Sequence, residues 1–396
     1  VDLIAAEKSP SRATVIFLVT EDWYFWSHRV PIARAVRDAG FRVIVATRVR
    51  HFGERIKAER FELYPLPWRR RGDGILGALR ALTAITRLYI SEAPVLVHHV
   101  ALKPMVFGAL GALLAGVPKQ INMLAGLGFV FVSPTPLARI QRAAILMALK
   151  LLVNRTGSEV IVQNSDDGEE LIRRGVLDRR RCTLVAGSGV DTGRYTYQPE
   201  PPAGPLVVTM VSRMLRYKGV SALVDAAREL KRKGHPVRVL LVGPVDPDNR
   251  SSLTEAELVA WQEEGIIEWL GAQEDIPGIW ARSHIAVLPS MYREGVPKTL
   301  LEAAACGRPI VTTDMPGCKD VVDDGKTGYL VPQGDSSRLA DAIEKLAASP
   351  DLRRSMGLEG RHKVERLFAE ELIVAQMMGI YRDVLSEGSA EAKALL

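Results

Sequence analysis

Residues 13 to 47 read A-T-V-I-F-L-V-T-E-D-W-Y-F-W-S-H-R-V-P-I-A-R-A-V-R-D-A-G-F-R-V-I-V-A-T. The apolar, β-branched runs at the two ends (13–20 and 41–47) predict strands. Between them V-P-I-A-R-A-V-R-D-A-G follows a helical pattern, with Gly40 placed to end it. Strand, helix, strand in that order is a βαβ unit, and runs so continuously apolar belong to a parallel sheet covered on both faces.

The alternation continues with strands expected at P-V-L-V-H-H, K-Q-I-N-M and S-E-V-I-V-Q-N. It is interrupted by D-T-G-R-Y-T-Y-Q-P-E-P-P-A-G-P (191–205), rich in Pro and Gly and without period, and so read as a linker. It then restarts, with strands expected at L-V-V-T-M-V-S, R-V-L-L-V-G, I-I-E-W-L-G, H-I-A-V-L-P-S, R-P-I-V-T-T-D and G-Y-L-V-P. The expected fold class is α/β: two Rossmann-like, doubly wound parallel-sheet domains facing across a cleft at the carboxyl ends of their strands. The expected division is 1–190, a linker over 191–205, 206–370, and a C-terminal helix over 371–396 that packs back on the scaffold, with Met377 and Met378 in its apolar stripe.

With 47% hydrophobic and 25% charged residues, the 396-residue chain has ordinary globular composition and length for two cores. Cys182, Cys306 and Cys318 are odd in number and lack ligand spacing with histidine, which supports neither a disulfide framework nor a zinc site and fits a reducing, cytoplasmic setting. No apolar run has the length of a membrane span, and Asp2, Glu7 and Lys8 give no secretory-signal pattern. Charge is uneven: residues 1–200 carry 28 Lys and Arg against 18 Asp and Glu, whereas residues 201–396 carry 24 against 28. The basic half suits an acidic partner such as nucleic acid, anionic lipid or a diphosphate. Aromatics do not alternate with its cations, which argues against nucleic acid.

Chemistry concentrates in Y-R-E-G-V-P-K-T-L-L-E-A (292–303). Pro297 suits the first helical position, so the amides of Lys298, Thr299 and Leu300 are expected to point free from a helix N-terminus, where the dipole favours an anion. Gly295 lets a ligand approach the backbone. Glu294 before the helix and Glu302 one turn inside it suit a ligand with hydroxyls at both ends and a diphosphate between. A second anchor, V-S-R-M-L-R-Y-K-G, places Arg213 and Lys218 just past a strand, where a guanidinium fork and a point charge neutralise phosphate. Each element also has a purely structural reading. Glu302 then pairs with Lys298 at i, i+4, Glu294 is a helix-start acid, and the basic loop turns at Gly219 in solvent. Asp246-Pro247-Asp248 looks like a metal-binding pair but lies in a polar turn and is read as structural.

In this order the motifs resemble the retaining glycosyltransferases of family four, which have the GT-B architecture. The resemblance runs through V-S-R-M-L-R-Y-K-G, L-V-G, L-G-A-Q-E-D-I-P-G-I-W, V-L-P-S-M-Y-R-E-G-V-P-K-T-L-L-E-A, G-R-P-I-V-T-T-D and G-K-T-G-Y-L-V-P-Q-G-D. It implies that Glu294 meets the donor sugar, Glu302 the ribose, Arg213 and Lys218 the diphosphate, and that the segment Gly295, Val296, Pro297, Lys298, Thr299, Leu300 lines the donor site. It also implies a UDP-sugar donor, retention of configuration, and neither metal nor cofactor.

The first half is similar to a narrower group, the bacterial transferases that extend saccharides on polyprenyl diphosphate, in E-D-W-Y-F-W-S-H-R-V-P-I-A-R-A, V-H-H-V-A-L-K-P-M-V-F-G and L-A-G-L-G-F-V-F. That implies transfer of an N-acetylhexosamine or related hexose to a lipid-linked saccharide acceptor, with the protein peripheral on an anionic membrane surface at the inner face of the cytoplasmic membrane. Trp68 beside Arg69, Arg70 and Arg71, and the helix with Arg139, Arg142 and Lys150, read as interfacial segments, or for that helix as an ordinary buried one. The family's V-H-x-H strand end is Val97-His98-His99-Val100 here, so valine stands at the second histidine's position. His98 is the catalytic candidate, with His99 as its alternative and a structural strand role open for both. Two rival functions fit the composition: a nucleotide-sugar epimerase, and a noncatalytic nucleotide-sugar receptor.

Overall fold

The computed structural model describes residues 13–68, 74–128, 131, 135–201, 204–235 and 237–386. The leader reading, on residues 1–12, and Arg69 to Arg71 lie outside the described residues. Seven parallel strands form the first sheet: β1 (Thr14–Glu21), β2 (Arg42–Arg48), β3 (Glu62–Pro65), β4 (Leu96–Val100), β5 (Gln120–Leu124), β6 (Ser158–Val162) and β7 (Cys182–Leu184). Their order is β3-β2-β1-β4-β5-β6-β7. The second sheet holds β8 (Val207–Val211), β9 (Arg238–Val242), β10 (Ile267–Trp269), β11 (Ile285–Leu288), β12 (Ile310–Thr313) and β13 (Gly328–Val331), in the order β10-β9-β8-β11-β12-β13. This is the doubly wound α/β fold read from the sequence.

Each sheet reverses direction beside its first strand. β1 lies between β2 and β4, with Phe17 opposite both Val45 and His98, and β8 lies between β9 and β11. Such switch points leave a crevice at the strands' carboxyl ends. Both crevices open toward the same space, so the loops after β1, β4, β8 and β11 meet there.

One helix follows β1 without a spacer, Asp22–His28, and a buried carboxylate fixes it. Asp22 Oδ2 accepts the amides of Arg50, His51 and Phe52 at 2.6, 2.8 and 2.9 Å, and Oδ1 accepts that of Trp23 at 2.7 Å. Satisfying so many backbone donors with one buried side chain offsets its desolvation.

The last helix, Glu370–Ser386, lies on the first sheet: Ile373, Met377, Ile380 and Tyr381 share a core with Phe17, Phe25 and Val36. Met377 is fully buried and Met378 packs at the edge of that core. Among the described residues no helix is long and apolar enough to cross a membrane.

β4 is central and covered on both faces, so its alternation buries His98 on one side and His99 on the other. His98 Nδ1 lies 2.6 Å from the Tyr381 hydroxyl of the last helix. His99 bonds Asn122 through Nδ1 at 2.8 Å and the Tyr89 hydroxyl through Nε2 at 3.1 Å. Burial depresses both rings, His99 to about 4. Neither histidine lines the interdomain cavity, which corrects the catalytic expectation for His98: the strand reaches that space only at Val100.

Candidate active site

A cavity of about 450 Å³ lies between the two sheets' carboxyl ends. The first sheet contributes Glu21, Trp23, Tyr24, His28, Val100, Ala101 and Gln163, and the second contributes Arg213, Lys218, Tyr292 and the run from Glu294 to Thr299.

Glu294 is its centre. Oε1 receives Lys218 Nζ at 2.6 Å and Ser290 Oγ at 2.9 Å, and Oε2 receives the Tyr292 hydroxyl at 3.0 Å. Glu294 is 8% exposed, so these donors replace water around its carboxylate. Burial beside this carboxylate keeps the Tyr292 hydroxyl protonated, far above its ordinary range. The loop is pinned from the opposite unit, because Asn164 Nδ2 donates to the Glu294 carbonyl at 2.9 Å. Glycine is required at this crossing: a Cβ on Gly317 would sit 1.7 Å from the Gly295 carbonyl oxygen.

Arg213 donates to Asp246 at 2.5 Å, with its guanidinium 5.1 Å from the Trp23 ring centre in the other unit. Asp248 pairs with Arg50 and, at 3.4 Å, with Arg48. Asp246 and Asp248 are thus engaged by arginines, in keeping with their structural reading.

Pro297 is the N-cap, with extended backbone, and the helix runs Lys298–Ala305, one residue later than expected. The Leu300 amide already donates to the Pro297 carbonyl at 3.0 Å, and its side chain is core. That removes Leu300 from the expected set of free amides, because the first turn is tightened by an i, i+3 bond. Gly295, Val296, Pro297, Lys298 and Thr299 do line the cavity. Among the described residues the buried Thr299 Oγ1 has no hydrogen-bond partner, an orphan that a ligand oxygen would satisfy.

Glu302 lies outside the cavity lining, in hydrogen-bonding contact with Tyr195, and burial raises its pKa. Its expected i, i+4 partner is turned away: Lys298 Nζ donates to the Ser27 carbonyl at 2.6 Å across the cleft. The cavity therefore gathers Glu294, Arg213, Lys218 and the helix start but neither Glu302 nor His98. Sequence reasoning passed over Ser290, Tyr292 and His28, and only the aromatic run E-D-W-Y-F-W-S-H signalled the last.

A model of glycosyl transferases group 1 matches residues 205–349, and one described as glycosyl transferase 4-like matches residues 14–164. The capsular polysaccharide biosynthesis glycosyltransferase CapM of Staphylococcus aureus is 22% identical over 334 residues, covering 81% of this chain and 85% of CapM. The N,N'-diacetylbacillosaminyl-diphospho-undecaprenol alpha-1,3-N-acetylgalactosaminyltransferase of Campylobacter jejuni is 24% identical, covering 88% and 92%. Among solved structures, Anabaena Alr3699/HepE in complex with UDP and glucose superposes with a TM-score of 0.76 at 20% identity, over 93% of this chain and 98% of that one. Thermosynechococcus elongatus sucrose-phosphate synthase gives 0.79 at 22% identity, over 95% and 100%. One family model thus falls on each sheet, so the chain carries a glycosyl transferases group 1 domain over 205–349 and a glycosyl transferase 4-like domain over 14–164, in the GT-B arrangement of its structural neighbours.

Proposed function

We propose that the chain is a retaining glycosyltransferase that moves an N-acetylhexosamine or related hexose from a UDP-sugar to a polyprenyl-diphosphate-linked saccharide at the inner face of the cytoplasmic membrane. The observation that carries this reading is the Lys218–Glu294 pair beside Arg213 and the Lys298 helix start, a cation cluster and a carboxylate in one cavity. The UDP complexes of Alr3699/HepE and the undecaprenol-linked substrate in the Campylobacter relative's name support the donor and acceptor classes.

In this reading the departing diphosphate rests on Arg213, Lys218, the Lys298 and Thr299 amides and the Thr299 hydroxyl. Donors preorganised at developing negative charge lower the barrier most. Glu294 accepts hydroxyls of the donor sugar next to the reacting carbon. Glu302 takes the ribose after exchanging its Tyr195 contact for the sugar hydroxyls. The fixed cations supply the charge that a metal would, so EDTA leaves turnover unchanged.

The unit with residues 1–190 holds the acceptor, the one with 206–370 the donor, 191–205 connects them, and 371–396 returns to the first. Membrane contact falls on the helix Pro136–Leu152, where Leu137, Ile140, Met147 and Leu151 are 58–68% exposed beside Arg139 and Lys150. An apolar face with basic flanks suits an anionic bilayer. Trp68 does not belong to that surface. It is 2% exposed, with Lys103 Nζ 5.2 Å from its ring centre.

The test is transfer of radiolabel from a panel of UDP-, GDP- and ADP-sugars into bacterial membrane lipid extracts. Label from a UDP-sugar in polyprenyl-linked lipid is expected, and no lipid label from any donor would overturn the reading.

A further inference from the structure

At the end of β4, where the family resemblance implies a histidine, this chain brings Val100 to the cavity, followed by Ala101. The imidazole on that wall comes from elsewhere: His28, the last residue of the helix after β1. Its ring stacks on Tyr24 with centroids 4.3 Å apart and planes 7° from parallel, which fixes its plane.

The hydrogen bonds point to one tautomer. Ser27 has one hydroxyl proton and gives it to the Trp23 carbonyl at 2.8 Å. Ser27 Oγ also lies 2.5 Å from His28 Nδ1, so at that contact the hydroxyl accepts and Nδ1 carries the hydrogen. The ring further hydrogen-bonds the Tyr24 carbonyl, which only an N–H satisfies. Burial, then the charges of Lys298, Arg29 and Lys218, hold the ring well below the ordinary histidine value, so it is neutral at neutral pH.

Nε2 is therefore the ring's lone-pair acceptor, on a residue that lines the cavity. Among the described residues no protein group hydrogen-bonds it. In a cavity where Lys218 and Lys298 attract phosphate, a neutral acceptor repels phosphate oxygens and selects an O–H.

We propose that His28 Nε2 accepts a hydrogen bond from a hydroxyl of the incoming acceptor saccharide and positions it against the sugar at Glu294. This rests on the transferase reading above. It assigns the acceptor because His28 belongs to the first sheet's wall, while the groups assigned to the donor all come from the second.

His28→Phe keeps the stack on Tyr24 and removes the acceptor atom, whereas the amide oxygen of His28→Gln reaches toward the Nε2 position. His28→Phe is expected to raise the acceptor KM by about tenfold or more, with the donor KM and UDP affinity unchanged. His28→Gln is expected to recover most of that loss. Wild-type acceptor affinity falls on the acid side as the ring protonates among Lys298, Lys218, Arg29 and the Glu294 carboxylate, and this limb is absent in His28→Gln. Imidazole ¹⁵N spectra of the wild type, assigned by difference from either variant, are expected to show His28 protonated at Nδ1.

An Nε2-protonated ring, a wild-type acceptor KM in His28→Phe, or an equal loss of UDP affinity would each overturn the assignment. If the wild type transfers no sugar to polyprenyl-linked acceptors, the transferase reading falls with it. If the wild type is active and His28→Phe matches it, only the His28 assignment falls.

Discussion

Lys218 Nζ lies 2.6 Å from Oε1 of Glu294, both side chains largely buried, so the cation set after β8 and the carboxylate set after β11 form one unit. A buried pair of this kind is weak evidence for stability but ties the position of one group to the other.

Removing either member separates their roles. Glu294→Gln and Lys218→Ala are each expected to lower turnover by about 10²- to 10³-fold with unchanged circular dichroism. Lys218→Ala and Arg213→Ala also weaken UDP binding, which Glu294→Gln leaves intact because the carboxylate meets only the sugar. Calorimetric titration with UDP distinguishes them, and wild-type turnover in Glu294→Gln and Arg213→Ala would remove the site assignment.

Gly219, directly after Lys218, has φ +83°, and a Cβ there would lie 1.9 Å from the Pro289 carbonyl oxygen. Gly234 has φ +81° with nothing within 4 Å of the same added atom. Gly234→Ala is expected to cost about 1 kcal/mol from backbone conformation alone. Gly219→Ala should cost clearly more in urea melts, and should slow turnover by displacing Lys218. Equal costs would show that the strand-end loop gives way freely.

The legible part was what periodicity encodes. The runs at 13–20, 41–47, 206–212 and 308–314 are strands in the structure because strands covered on both faces write continuous apolar stretches. β3 and β7 went unread because they are short, partly exposed edges that exist through pairing with β2 and β6. Arg213, Lys218 and Glu294 were legible because each follows a strand by a few residues. The histidines were not, since a strand's alternation says that His98 and His99 face opposite ways but not that both ways lead into core. The Leu300 amide was misjudged because the first turn of its helix closes one residue tighter than an ideal α-turn.

The fate of His99 sets a pH dependence. Its folded pKa of about 4 lies below the ordinary 6.5, so its contribution is fully present above pH 6.5 and is lost as pH falls toward 4. The loss amounts to roughly 3 kcal/mol at most. Urea unfolding of His99→Gln between pH 7 and pH 4 should fall less steeply than that of the wild type, and parallel slopes would contradict this.

The membrane face is tested by replacing Leu137, Ile140, Met147 and Leu151 together with Gln. These side chains are 58–68% exposed, so thermal stability is expected to hold while flotation with anionic liposomes at low salt is lost. Undiminished flotation would move the contact elsewhere.

The central claim is that a UDP-sugar's diphosphate sits between Arg213, Lys218 and the start of the Lys298 helix. Thermal shift with UDP and UDP-sugars, with and without EDTA, tests it most directly in the wild type and in an Arg213→Ala, Lys218→Ala double variant. The account predicts a concentration-dependent stabilisation of the wild type, indifferent to EDTA and absent from the double variant. Equal stabilisation of both proteins, or dependence of the shift on a chelatable metal, would contradict it.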